Sequence, residues 1–221
     1  IKKLNFDDAV ILTSDAPITS FDSMERIHIT GLTSDETKEL ALLEASRIGL
    51  PGLEEAPLKM FQDLRRYTSG NPHAIKLSIG QVKSGMGFDR VILGLSKARG
   101  RVFEDIYSKT WSMLSDVSKD ILFAMTTFSG SASFDALLYV CDLDDWDFME
   151  GVQELINVSM LESNYAFDSF LMRYSTLTIT ENYIKSKVPK YEGFSLFVDR
   201  FVEFFSDYLQ KNRNHFPNII K

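Results

Sequence analysis

The chain has 221 residues, 44% of them hydrophobic and 25% charged, with a formal net charge of −7. That composition excludes a disordered segment and leaves enough chain to bury a core. The acidic balance gives no electrostatic footprint for nucleic acid or an anionic membrane, and no apolar run approaches the ~20 residues needed to cross a bilayer.

A single cysteine, Cys141, rules out an internal disulfide and fits a reducing cytoplasm. It lies in the apolar run ALLYVC, which reads as a buried small hydrophobe rather than a reactive thiol. The opening IKKLNFDDAVILTSD has only AVIL as an apolar core, flanked by Asp7 and Asp8, so it is neither a signal peptide nor a membrane helix. It lacks an initiator Met and is read as the start of an excised fragment.

AVILTS (9–14) is predicted as a buried strand whose C-terminal end carries the hydroxyls of Thr13 and Ser14. RIHIT (26–30) is a second alternating stretch. Thr33, with Glu36 three residues later, predicts a capping box at the start of a helix through Leu40, Leu43 and Ile48. A second helix fits 57–68, with Leu58, Phe61 and Leu64 on one face. A third starts at Pro72 and runs to about Lys83, where the glycines of KSGMGF break the pattern. Residues 31–100 thus read as a small helical bundle.

Arg99, Gly100 and Arg101 mark the next boundary. VFEDIYSKTWSML and SKDILFAMTTF are amphipathic helices, the second capped by Ser115 or Ser118. SFDALLYVC is a third helix, followed by the acidic loop DLDDWD and a fourth helix, DFMEGVQELINV. SMLESNYAFDSFLMRYSTLT alternates on both sides of a turn-like centre, 163–169, which predicts a β-hairpin. TITENYIKSKV is one more short helix, and 194–209 carries an aromatic helical stripe from Phe194 to Tyr208. That stripe is expected to face the core; left uncovered it would promote dimerisation. Helices followed by a hairpin give the order of a winged-helix domain, so the expected fold is mainly α: a helical bundle followed by a winged helix with a β-hairpin wing.

Several segments invite chemistry. Gly70, Asn71 and Pro72 precede a helix at once, and a proline at the first helical turn is in itself an ordinary helix-start device. Polar groups at the end of a buried strand, such as Thr13 and Ser14, stand where α/β proteins hold ligands. DLDDWD lacks the glycine and the glutamate of a calcium loop, and helix capping explains it better. His28, His73 and His215 are scattered and define neither a metal site nor a catalytic triad. Residues 102–190 hold six Lys/Arg against fourteen Asp/Glu, and the fourth helix, from Asp144 to Met160, has five acidic residues and no basic one. Such a surface repels a phosphate backbone, which argues against DNA.

Taken together, AVILTSD, ITGLTSDETKELALLEAS, TSGNPHAIKL and IYSKTWSMLSDVSKDILFAMTTFSG resemble, in order, four parts of the STAND-class NB-ARC nucleotide-binding module. These are its sensor strand, the start of its helical lid, its Gly-x-Pro lid motif and the opening of its winged helix. The resemblance spans about residues 9–190 and implies an ATP/ADP switch in signal transduction. It divides the chain into an α/β core remnant (1–30), a helical lid (31–100), a winged helix (101–190) and a tail helix (191–221). It implies nucleotide contacts from Thr13, Ser14, Gly70, Asn71 and Pro72, with Pro72 against an adenine edge and the free N–H groups of its helix facing the nucleotide.

Two positions depart from the family pattern. Asp15 stands where an arginine is usual, and Leu177 where a histidine often contacts the ADP phosphates. The sequence also holds no Gly-x-x-x-x-Gly-Lys-Ser/Thr phosphate loop. The expected partner is therefore a P-loop NTPase core supplied upstream, with ADP or ATP and Mg²⁺ as cofactors of the longer protein and none held tightly by this segment. By itself the segment is not expected to be catalytic, whereas the longer protein would be a slow ATPase. A homo-oligomer and a downstream helical-repeat domain fit the family, in the cytoplasm and away from nucleic acid and membrane. The alternative is a helical, winged-helix interaction scaffold with no nucleotide role.

Overall fold

The computed structural model of the chain describes residue 27 and residues 29–98, 101–165 and 171–212. The chain divides into two compact units, Ile1–Thr30 and Gly31–Lys221. The expected strand over 9–14, with Thr13, Ser14 and Asp15, lies outside the described residues, as does the centre of the hairpin, 166–170. In the first unit, Ile27 and Ile29 are exposed. No described helix is long and apolar enough to cross a membrane.

The second unit is mainly helical, with ten α-helices and a three-stranded antiparallel sheet among the described residues. Helix α1 (Ser34–Arg47) starts at the expected capping box: the Glu36 backbone N–H donates to Thr33 Oγ1 at 3.3 Å, and the Thr33 N–H donates to Glu36 Oε2 at 2.8 Å. Its buried Ala41 and Ala45 have no bulk to hold neighbours away, and α1 packs on both following helices. Helix α2 (Leu58–Thr68) buries Phe61 and Leu64, while Leu58, expected on the same face, is 51% exposed at the first helical position. Helix α3 (Pro72–Lys83) is buried along most of its length, from Ala74 to Gln81. It is the central helix of the bundle. Helix α4 (Phe88–Lys97) buries Phe88, Val91 and Leu95 at i, i+3 and i+7.

Helix α5 (Val102–Met113) lies against α3, where the buried Gln81 amide donates to Ile106 O at 3.0 Å and to Thr110 Oγ1 at 3.1 Å. Helix α6 (Asp116–Met125) is capped by Ser115, which settles the choice between Ser115 and Ser118. Then follow β1 (Ser131–Ser133), α7 (Phe134–Cys141), α8 (Asp145–Asn157), β2 (Glu162–Tyr165) and β3 (Met172–Ser175). The strand β3 is central: Ser175 faces both Ser131 and Glu162, and Tyr174 faces both Ala132 and Ser163. The hairpin is thus present, but β2 extends through Ser163 to Tyr165, so the expected turn began too early. Tyr174 is buried together with Ala132, the β1 residue it faces, and packs edge-on against Phe148 of α8.

Within the acidic loop, Asp144 caps α8 by accepting from the Asp147 N–H at 2.8 Å, and Asp142 pairs with Arg200. Capping, as expected, thus occupies one carboxylate of that segment, and an ion pair occupies another. Burial pushes the Cys141 thiol well above its ordinary pKa. Helices α9 (Thr178–Lys185) and α10 (Phe194–Lys211) complete the unit. The aromatic stripe of α10 faces inward from Phe194 to Phe205, whereas Tyr208, expected in the stripe, is 48% exposed. With Phe197 buried and Phe201 edge-on to Phe128 at 5.1 Å, the tail helix packs on α6 and α7. Its other face leaves Leu196, Val198 and Val202 exposed.

Candidate functional site

The α2–α3 corner is built by two successive left-handed residues, Ser69 (φ 55°) and Gly70 (φ 69°). They turn the chain so that the Gly70 N–H returns to Arg65 O at 2.9 Å, closing the end of α2. The preceding segment locks the corner: the Leu32 N–H donates to Gly70 O at 2.9 Å, and Arg65 Nε donates to Leu32 O at 3.1 Å. Asn71 then caps α3. Its Oδ1 accepts from the His73 N–H at 3.0 Å and from the Ala74 N–H at 3.1 Å, and Pro72 occupies the first helical turn, where no N–H is needed.

This geometry corrects one expectation. The first-turn N–H groups of α3 do not point free toward a ligand, because the Asn71 side chain already holds them. Gly70 is buried and Asn71 is spent on the cap, so both shape the corner. The exposed Pro72 ring is what remains to meet a ligand, and it lines a cavity of about 380 Å³.

That cavity lies between the helical bundle and the sheet-bearing half of the unit. From α1 and α3 come Arg47, Pro72, His73 and Lys76. Opposite them stand Ser163 and Asn164 of β2, Glu162 at the strand's start, and Leu177, which precedes α9. Ile156 and Leu161 add apolar wall. Lys76, the Glu44-paired Arg47, the Glu162 carboxylate, several neutral hydrogen-bonding groups and an apolar strip give the cavity a mixed lining. Such a lining suits a ligand with both an apolar and a polar part. Thus Pro72 and Leu177, 105 positions apart, share one cavity.

His73 sits at the edge of this cavity in a polar knot that ties the two halves together. Its Nε2 lies 2.7 Å from Tyr107 Oη, which lies 2.8 Å from Thr180 Oγ1. In the neutral ring Nε2 either accepts from Tyr107 or donates to it, according to the tautomer, and the Tyr107–Thr180 pair orients to match. Burial, with help from the Lys76 charge, lowers the His73 pKa from 6.5 to about 4. Between pH 6.5 and 4 the unfolded chain therefore binds a proton that the native state refuses, so stability falls as pH drops through that window. His73→Gln should flatten this fall, and the difference between the wild-type and variant melting curves at pH 7 and pH 5 measures it. Parallel curves would exclude a neutral, buried His73.

Beneath the cavity the two halves meet closely. A Cβ on Gly80 would lie 2.6 Å from the Val158 Cα, so α3 and the end of α8 touch backbone to backbone. Nearby, the Glu44 carboxylate is buried and receives Arg47 Nε at 2.9 Å and Ser159 Oγ at 2.8 Å, while Arg47 also donates to Ile156 O at 2.9 Å. Sequence reasoning missed Arg47, His73 and Lys76 as site residues. His73 and Lys76 had a usable signal, lying one and four positions after Pro72 on the same helix; Arg47 had none. Among the described residues, no group of three or more His, Cys, Asp or Glu side chains could hold a metal ion. No protein-family model matches this chain, and no curated protein matches it at a significant level.

Proposed function

We propose that this chain is the lid and winged-helix segment of a STAND-type ATP/ADP switch, regulatory rather than catalytic by itself. The observation that carries the reading is the cavity that Pro72 and Leu177 line together. The resemblance assigns these two positions to opposite walls of one nucleotide pocket, although neither its spacing nor its motifs bring them into contact. The order α6–β1–α7–α8–β2–β3, with β3 between β1 and β2, also supports the winged-helix reading.

In this reading the Pro72 ring packs against the edge of a purine, and Ser163 and Asn164 offer hydrogen bonds to it or to the ribose. Lys76 supplies positive charge for phosphates, a role that Leu177 cannot fill, while the Arg47 guanidinium is committed to Glu44. A phosphate loop and the groups that hold Mg²⁺ come from a P-loop core outside these 221 residues. Closure over ADP keeps the switch off, and exchange for ATP separates the two halves and exposes surface for oligomerisation in the cytoplasm.

The test is a thermal-shift measurement on the protein that includes such a core. Saturating ADP should raise Tm by several degrees, as expected for a ligand present at about a hundred times its Kd. Pro72→Ala should cut that shift by half or more while leaving the ligand-free Tm within a degree or two. A Tm that ignores nucleotide altogether would sink the switch. It would favour the scaffold reading, to which the interlocked Glu44, Arg47 and Ser159 and the apolar Leu177 already lend support.

A further inference from the structure

The outer face of α8 combines exposed apolar side chains with unpaired acidity. Trp146 is 74% exposed and Met149, one turn on, is 47% exposed. Glu150 and Gln153 continue the same face at i+4 and i+7 from Trp146, and both are exposed. The helix is anchored from its other side by Phe148, Val152 and Leu155, so this face is presented on a rigid element. A tryptophan held open to water in this way is unusual for a residue with so much apolar area.

Along the sequence, the charge on and around this helix has one sign. From 120 to 172 the sequence contains no Lys, Arg or His and ten Asp or Glu. Some of these carboxylates are occupied: Asp142 pairs with Arg200, Asp144 caps α8, and Glu154 accepts from Ser115 and Ser118. Asp145, Asp147 and Glu150 have no ion-pair partner among the described residues. In the winged-helix reading, α8 is the helix that would enter a DNA groove, and this charge turns it away from phosphate.

We propose that the Trp146–Met149 face of α8 docks an arginine-bearing, amphipathic segment of a protein partner. A guanidinium can stack flat on the indole while its N–H fork bonds a carboxylate such as Glu150, and an adjacent apolar side chain covers Met149. An ammonium fits this arrangement less well, being a compact, strongly hydrated point charge. Charge complementarity selects a basic partner, and the stacked tryptophan selects arginine within that class. The inference rests on the surface of α8 and does not depend on the nucleotide reading.

Fluorescence anisotropy with labelled synthetic peptides tests it. The probes are a short amphipathic helix carrying arginines and leucines, the same helix with lysines for arginines, and the same with serines for leucines. The arginine–leucine probe should bind the wild-type chain about tenfold more tightly than either control. Trp146→Ala should erase that advantage and Trp146→Phe should retain part of it. Asp145→Asn combined with Glu150→Gln should weaken binding and flatten its dependence on salt. Because these side chains are exposed, the variants should melt with the wild type. Equal binding of all three probes, or binding unchanged by Trp146→Ala, would reduce the face to non-specific charge attraction and overturn the proposal.

Discussion

Gly70→Ala is expected to destabilise the protein by about 3 kcal/mol, through two independent causes that act at one atom. A Cβ at this position would stand 2.4 Å from Leu32 O and 2.6 Å from Leu32 N, both backbone atoms that cannot swing aside. The residue also holds φ 69°, where an L side chain costs about 1–2 kcal/mol even in open space. Gly52 separates the two causes. It holds φ 84°, but a Cβ there meets nothing within 4 Å, so Gly52→Ala should cost only the conformational share. Asparagine tolerates left-handed backbone, so Gly52→Asn should be nearly neutral while Gly70→Asn should remain as damaging as alanine. Urea unfolding of the four variants with unchanged m-values measures this. If Gly70→Asn restored wild-type stability, the close approach to Leu32 would be wrong. The functional consequence follows from the same contact. Relieving the clash must push residues 69–71 away from Leu32, and Pro72 moves with them, so under the proposed switch reading a surviving Gly70→Ala protein should also lose nucleotide response.

What could be read from the sequence follows the range of the interaction that encodes it. The capping box at Thr33 and Glu36, the start of α3 at Pro72 and the Asp144 cap of α8 are each written within three or four residues, and each is in place. The hairpin was legible from alternation, although exposed β2 carries no apolar signal to fix where its turn begins. Helix α4 escaped because the glycines at 85 and 87 mask a ten-residue stripe of only three buried residues. The strand β1 escaped because Ser-Ala-Ser has no apolar alternation; it exists because β3 offers it partners and Arg173 bonds Ser131. The resemblance implies ligand contacts from the whole 70–72 corner, but part of that corner is taken up by local bonding. It assigned Asn71 to the ligand, whereas local chemistry commits that side chain to two backbone N–H groups. Arg47 joins the cavity only through the packing of α1 near the end of α8, more than a hundred positions away, and no local pattern carries such information.

Arg47→Met should produce the second large effect, a loss of about 2–3 kcal/mol at pH 7. Methionine keeps the aliphatic stem but leaves the Glu44 carboxylate, only 2% exposed, without its principal donor. The loss falls at or below the lower end of the range for breaking a buried pair, because the Arg47 side chain itself retains 43% exposure. The pH dependence identifies the cause. In the wild type, burial would raise the Glu44 pKa, but the hydrogen bonds from Arg47 and Ser159 and the nearby positive charge outweigh it and hold the group below its ordinary 4.5. Its contribution is therefore present above pH 4.5 and is lost as pH falls through the lower, folded value. Without Arg47, burial dominates and the folded pKa rises above the unfolded one. The variant then gains relative stability as the carboxyl protonates on acidification, so the gap between the two proteins should narrow steadily below about pH 5. Replacing both partners, Glu44→Leu with Arg47→Met, should recover much of the single-variant loss, because an apolar pair leaves no buried charge behind. A gap that stays constant from pH 7 to pH 4 would mean that lost packing, not an orphaned carboxylate, explains the effect. If the double variant is as stable as the wild type, the ion pair is retained for something other than stability, and its place on the cavity wall makes nucleotide response the property to measure in that variant.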